Sequence, residues 1–217
     1  MKDIMESVDK FHIHYENTKI WEKSRFMGIP MWKLPFDAMV IQELIYQVKP
    51  DLIIETGTGH GGSALFYASI CELLGEGQVI SIDTDISKRE SHKWGQFKWE
   101  DRIMFINGSS IEEHTFKIVK AFDKFSKRTM VLLDSWHTKE HVLKEIELYA
   151  PLVTIGSYLI VEDTHANGHP VPWEYDNEGP YEAVQEFLTD NDEFAIDTEC
   201  EKYLMTFNPN GFLRRIR

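Results

Sequence analysis

The sequence predicts an α/β fold built on a mostly parallel sheet, and three observations predict it. Short apolar runs recur along the chain and alternate with helical patterns, the rhythm of strands joined by crossover helices. The first run, Leu52 to Glu55, opens into Gly57-Thr-Gly-His-Gly-Gly62, with four glycines in six positions. That is a strand stopping at a tight, backbone-exposing turn before a helix, the way ligand sites on parallel sheets begin. Four of the runs also end in acids, at Glu55, Asp83, Asp134 and Glu162-Asp163.

The elements follow in order. Asp37 to Lys49 carries apolar residues at Met39, Val40, Ile41, Leu44, Ile45 and Val48, a helical stripe closed by Pro50. After the first strand, Ser63 to Leu74 reads as a helix ended by Gly75 and Gly77, and Gln78 to Asp83 as the second strand. Ile103 to Ile106, Met130 to Asp134 and Tyr158 to Glu162 are the third, fourth and fifth strands, with Lys139 to Tyr149 a helix between the last two. Glu193 to Asp197 and Lys202 to Phe207 are strand-like and lie close enough in sequence to pair as an antiparallel edge. Phe212 to Arg217 reads as a tail or partner contact. Residues 1 to about 35 fit no sheet strand; Trp21, Phe26, Met27, Pro30, Met31, Trp32 and Pro35 suggest an aromatic arm or cap over the core.

At 217 residues the chain fits one domain, an arm of about 35 residues and a core over 36–217. The 23 Lys and Arg against 36 Asp and Glu leave a net charge of −13, which excludes a surface built for a nucleic-acid backbone. No run approaches the ~20 apolar residues of a membrane span, and the N-terminus has no apolar stretch of signal-peptide length. Cys71 and Cys200 are too isolated for a disulfide framework or thiolate metal site, so a reducing, cytoplasmic setting is expected and both read as small buried hydrophobes.

In open parallel sheets ligands bind beyond the carboxyl ends of the strands, where these acids collect. Asp83 falls 28 residues after Glu55, a spacing that puts a carboxylate on ribose hydroxyls; the alternative is a solvated strand-end acid. Asp134, Glu162 and Asp163 would converge from adjacent strands, costly for three carboxylates unless a hard cation such as Mg²⁺, Mn²⁺ or Ca²⁺ shares their charge. Such an ion would ease deprotonation of a bound hydroxyl. Otherwise Asp134 and Asp163 are helix caps. His137, three residues past Asp134, could reach the same mouth as a general base, or be a capping or surface histidine. His137 and His141 do not form a zinc helix, because Thr138 stands where that motif needs Glu. An iron site could be drawn from His137, Asp163 and His165 or His169, but it uses fewer of the clustered acids. Asn107-Gly-Ser-Ser110 offers small polar groups after the third strand, or a plain turn. The loop from Thr164 to Glu178, with Pro170, Pro172, Trp173 and Tyr175, is long enough to shape a substrate pocket. Gly179-Pro-Tyr starts a helix with Pro in its first turn.

The glycine turn with Glu55 and Asp83, the Asp134-Ser-Trp-His137 segment and Val161-Glu-Asp163 resemble class I S-adenosylmethionine-dependent methyltransferases. Gly28-Ile-Pro, Pro35-Phe-Asp, Gln42-Glu43, Gly61-Gly-Ser-Ala64, Leu133-Asp-Ser135 and Gly179-Pro are more narrowly similar to the cephalosporin hydroxylase family, whose relatives include metal-dependent macrolide-sugar O-methyltransferases. The similarity spans about residues 20 to 215. It implies a Rossmann-like, seven-stranded, mostly parallel sheet with an antiparallel edge strand and helices on both faces. It implies S-adenosylmethionine over Glu55, Gly57, Thr58, Gly59, Gly61 and Ser63, its ribose on Asp83 and its adenine near Ser109 or Ser110. It implies Mg²⁺, or Mn²⁺, on Asp134, Glu162 and Asp163, and methyl transfer to a hydroxyl of a small molecule or glycosylated natural product. In catechol-type relatives an Asp-x-Trp-Lys segment supplies ligand and base; here His137 takes the Lys position.

Two other classes remain open on the residues alone. Gly57, Gly59 and Gly62 also satisfy the dinucleotide fingerprint, so an NAD-linked or iron-dependent oxidoreductase is one rival. A non-catalytic binding protein on the same fold is the other. The acid cluster favours the methyltransferase, since hydride transfer to nicotinamide needs no carboxylate triad. The aromatic arm makes a homo-oligomer plausible.

Overall fold

The computed structural model describes residues 2–89, 101–172 and 178–217. Seven strands form the main sheet: β3 (Leu52–Thr56), β4 (Gln78–Asp83), β5 (Ile103–Asn107), β6 (Thr129–Leu133), β7 (Tyr158–Val161), β8 (Phe194–Ile196) and β9 (Phe212–Arg215). Two short strands, β1 (Arg25–Phe26) and β2 (Ile29–Pro30), pair with each other outside it. The sheet order is β5-β4-β3-β6-β7-β9-β8, parallel from β5 to β7, with β9 antiparallel to both of its neighbours. The chain therefore reverses its direction of winding between β3 and β6. That reversal opens a crevice at the carboxyl ends of those two strands.

Why these runs become central strands is visible in their burial. All five residues of β3 and of β6 are buried, and successive side chains alternate between two cores. Leu52, Ile54, Val131 and Leu133 face a layer with α4 (Glu113–Asp123), α5 (Lys139–Tyr149) and α6 (Pro180–Thr189), which contribute Val119, Ile146 and Val184. Ile53, Met130 and Leu132 face α2 (Pro35–Val48) and α3 (Gly62–Leu74), which contribute Ile41, Ile45, Tyr67 and Ala68. Cys71 and Cys200 are buried in this second core, as expected of small hydrophobes. No helix among the described residues is long and apolar enough to cross a membrane.

The proposed pairing of 193–197 with 202–207 is corrected. β8 forms as expected, but its partner is β9, so the segment read as a tail is the antiparallel strand between β7 and β8. The 202–207 segment serves a different contact. Met205 and Phe207 pack with Leu34, Val8, Tyr15 and Trp21 of the N-terminal arm. Thr206 Oγ1 and the Phe207 N–H donate to the two oxygens of Asp37 at 2.6 and 2.8 Å. Burial pushes the Asp37 carboxyl up to about 7, with those two donors pulling against it.

Residues 2–34 lie outside the main sheet. The arm begins with α1 (Lys2–Asn17), and its later part crosses the start of α3 so closely that a Cβ on Gly62 would lie 2.1 Å from the Pro30 carbonyl oxygen. This contact locks the arm against the mouth of the crevice.

Candidate active site

Backbone hydrogen bonds carry the strands one residue past their ends and thereby align the acids. Asp134 N donates to Thr56 O at 3.0 Å, and Glu162 N donates to Leu133 O at 3.0 Å. Asp163 then takes a left-handed conformation (φ 57°), held by Asn208, whose Oδ1 accepts from Asp163 N at 3.0 Å. Glu162 and Asp163 consequently face different surroundings.

The Glu162 carboxylate is 5 % exposed and meets Lys33, whose Nζ lies 2.5 Å from Glu162 Oε2 and 3.0 Å from Asp134 Oδ2. Burial alone would lower the Lys33 pKa, but Asp134 and Glu162 hold the ammonium well above its ordinary range. Asp163 instead lines a cavity of about 310 Å³ together with Asp134 and His137. Ligand atoms of Asp134, His137 and Asp163 lie within 4.8 Å of one another, with His137 Nε2 3.4 Å from Asp163 Oδ2 and 3.9 Å from Asp134 Oδ1. Burial raises the Asp163 carboxyl above its usual range, against the pull of His137 and with a further push from Asp134. The two carboxylates at this spacing suit a divalent cation, with the imidazole beside them left to accept a proton. The sequence-based triad is thus distributed: Asp134 and Asp163 converge, while Glu162 is engaged by Lys33.

The glycine turn forms the opposite wall. A Cβ on Gly57 (φ +87°) would lie 1.8 Å from the Asp134 carbonyl oxygen, so only glycine lets β3 and the 134–137 segment approach. Gly57 and Thr58 N–H groups donate to Ile82 O, Gly61 N to Thr58 O, and Gly59 N to Asp83 Oδ2 at 2.9 Å. The turn's N–H groups are largely satisfied from within. Asp83 Oδ1 accepts from Asp85 N at 2.9 Å, which leaves each carboxylate oxygen a further lone pair toward the cavity. Glu55 does not line the cavity. It is fully buried and accepts from Ser81 Oγ at 2.5 Å, while Ser81 meets Thr58 Oγ1 at 2.7 Å, so it supports the turn from below. Burial pushes its carboxyl up to about 7, offset in part by Lys33 and the Ser63 and Ser81 hydroxyls. Thr58, Gly59 and Ser63 line the cavity; Gly61 acts through the start of α3.

A second cleft of about 230 Å³ shares Gly57, Asp83 and Ser135 with the first and adds Ser109, Ser110, Trp136 and His141. The two therefore form one trough across the carboxyl ends of β3, β4 and β6. His141 Nε2 lies 3.0 Å from Ser135 Oγ and 3.3 Å from Ser110 Oγ, and Ser135 donates to Glu145 Oε1 at 2.7 Å. His141 thus braces the trough's serines. His169, drawn on for the iron alternative, stacks on Tyr181 and meets Glu182 Oε1 at 3.0 Å, outside the trough. Of the loop expected to shape a pocket, Trp173 and Tyr175 lie outside the described residues, whereas His165 lines the cavity.

A family model for rhamnosyl O-methyltransferase/CmcI matches residues 18–216, nearly the whole chain. The chain belongs to the rhamnosyl O-methyltransferase/CmcI family. Rhamnosyl O-methyltransferase of Mycobacterium tuberculosis (strain ATCC 25618 / H37Rv) is 34% identical over 213 residues, covering 95% of this chain and 84% of that protein. The protein of the same name from Mycobacterium leprae (strain TN) is 33% identical over 214 residues, covering 95% and 90%. Among solved structures, CmcI with Mg and SAM superposes with a TM-score of 0.65 at 20% identity, covering 90% of this chain and 77% to 78% of CmcI in that and an apo structure. MycE, in complex with Mg, SAH and mycinamycin VI, gives 0.51 at 19% identity over 81% of this chain and 44% of MycE. Family membership makes the protein an O-methyltransferase, the class expected from its motifs.

Lys33 was missed in the sequence. Its signal is a lone cation inside Met31-Trp-Lys-Leu-Pro35, an otherwise apolar run. A charge in such a segment is buried with a partner or not at all.

Proposed function

We propose that this chain transfers a methyl group from S-adenosylmethionine to a hydroxyl of a sugar or sugar-bearing small molecule, with a divalent cation at Asp134 and Asp163. The observation that carries this reading is the continuous trough: a cleft with Asp83 and the serines opens, past Gly57, onto Asp134, His137 and Asp163. Asp83 accepts the ribose hydroxyl protons, and Ser109, Ser110 and the 65 % exposed Trp136 border the adenine end. Thr58, Gly59 and Ser63 border the methionine end. A pyrophosphate would need free N–H groups in this turn, but Gly57, Thr58, Gly59 and Gly61 already spend theirs inside the protein. The NAD-linked alternative is weakened for that reason.

His137 Nε2, beside both acids, receives the acceptor's hydroxyl proton as the O–CH₃ bond forms and the S–CH₃ bond breaks. When bound, Mg²⁺ or Mn²⁺ would hold the acceptor oxygen and lower its pKa. Lys33 keeps Glu162 and one oxygen of Asp134 fixed, which leaves Asp134 Oδ1 and Asp163 facing the cavity. The names of the relatives, rhamnosyl O-methyltransferases, support a sugar hydroxyl as acceptor.

Asp134→Ala should lower turnover at least about a hundredfold, the scale for losing an electrostatic group at the reacting centre. Its affinity for S-adenosylhomocysteine should stay within a few-fold of wild type. Turnover that survives in Asp134→Ala, or that ignores chelators, would remove the metal and this acid from the mechanism.

A further inference from the structure

We propose that Glu16 of the N-terminal helix and His165 form an acceptor subsite that binds a second hydroxyl, next to the one methylated, and so selects polyhydroxylated rings. This rests on the methyl-transfer reading. Glu16, in the last turn of α1, is 9 % exposed and lines the cavity that holds Asp163; its Oε2 has no hydrogen-bond partner. His165 is 1 % exposed, lines the same cavity, and its Nε2 likewise has no hydrogen-bond partner. At 3.9 Å, Asp163 Oδ1 is too far to satisfy that nitrogen.

His165 is held in place. Its Nδ1 lies 2.8 Å from His12 Nε2 of α1, and both rings pack on Phe207, with centroids 4.4 and 5.4 Å away. One proton serves the bond between the two rings. His165 Nε2 then either donates or accepts, according to which ring supplies that proton. The Trp21 indole N–H bears on the Glu16 carboxyl, but neither Trp21 Nε1 nor Glu16 Oε2 completes a hydrogen bond, so Oε2 still lacks a donor. A hydroxyl group both donates and accepts and so suits either atom, and leaving a buried polar atom unmet costs about 1–3 kcal/mol, which a ligand's hydroxyl recovers. Trp21 and Trp32, edge to face at 5.5 Å, line the same cavity and offer apolar surface to the C–H face of a ring. The N-terminal arm thus supplies specificity to a centre built on the sheet.

The test uses methyl rhamnopyranoside and its monodeoxy analogues, each lacking one ring hydroxyl, with wild type, Glu16→Gln and His165→Asn. Wild type should lose at least about tenfold in KM for one deoxy analogue, in line with a neutral hydrogen bond lost in a buried site. Glu16→Gln, which preserves shape, should show a similar loss with the full sugar, keep kcat within a few-fold, and no longer discriminate against that analogue. Calorimetry with S-adenosylhomocysteine separates the readings. Unchanged cofactor affinity with unchanged sugar KM and discrimination in Glu16→Gln and His165→Asn overturns the subsite, as does wild type that binds cofactor but not the sugar. Wild type that binds no cofactor overturns the methyl-transfer reading itself.

Discussion

Lys33→Met should destabilise the metal-free protein by about 3–5 kcal/mol, the cost of breaking one side of a buried ion pair. The side chain is 3 % exposed and its ammonium touches both Glu162 and Asp134. Removing it strands the buried Glu162 carboxylate, whose Oε1 already has no hydrogen-bond partner. Replacement by a group of similar length keeps the packing, so the loss is electrostatic rather than a cavity. Urea denaturation of both proteins in chelator measures it. If a cation binds at Asp134 and Asp163, added Mg²⁺ should raise the melting temperature more in the variant than in wild type, because binding to the folded state alone stabilises it. Equal stability of variant and wild type in chelator would mean that the pair has little weight in the fold.

Gly57→Ala should be comparably severe and reach function as well. A left-handed alanine costs about 1–2 kcal/mol, and forcing an extra methyl into a packed site about 1–3 kcal/mol more. Here the methyl would lie 1.8 Å from the Asp134 carbonyl oxygen, so the turn or the 134–137 segment must move. Either shift displaces both the cofactor wall and the acid beside it. We expect a variant destabilised by about 3 kcal/mol or more, with cofactor affinity reduced at least about tenfold in whatever remains folded. Thermal unfolding and calorimetry on one preparation would show both effects. By contrast Gly59→Ala meets no atom within 4 Å and bears only the cost of its positive φ of 50°.

Much of this site was legible because strand ends are legible. Parallel strands read as continuous apolar runs, fully buried in β3, β6 and β7 and partly so in β4 and β5, and all five fall within two residues of their expected bounds. The polar residue after each run then marks the sheet's carboxyl edge, which is how Asp83, Asp134 and Asp163 came together on paper and in space. The pattern failed where tertiary contacts set the alternation. Lys202 to Phe207 looks like a strand because its apolar Met205 and Phe207 are buried against the arm, while β9, with Arg214 exposed and Arg215 half-buried, looked like a tail. Helix α4 was passed over, although Phe116 and Val119 place an apolar stripe on it. The partners of His12 and Lys33 were hidden for another reason. Each bonds across more than a hundred residues of chain, and nothing local in the sequence says which acid or imidazole waits on the other side.

The most direct test is calorimetric titration of metal-stripped protein with S-adenosylmethionine and, separately, with NAD, each with and without Mg²⁺. The trough should bind S-adenosylmethionine with a Kd on the order of micromolar, and Asp83→Ala should weaken that binding at least about tenfold, the value of one charge-assisted hydrogen-bonded contact. Binding of NAD in its place, or S-adenosylmethionine binding that Asp83→Ala leaves untouched, would contradict the assignment of this trough.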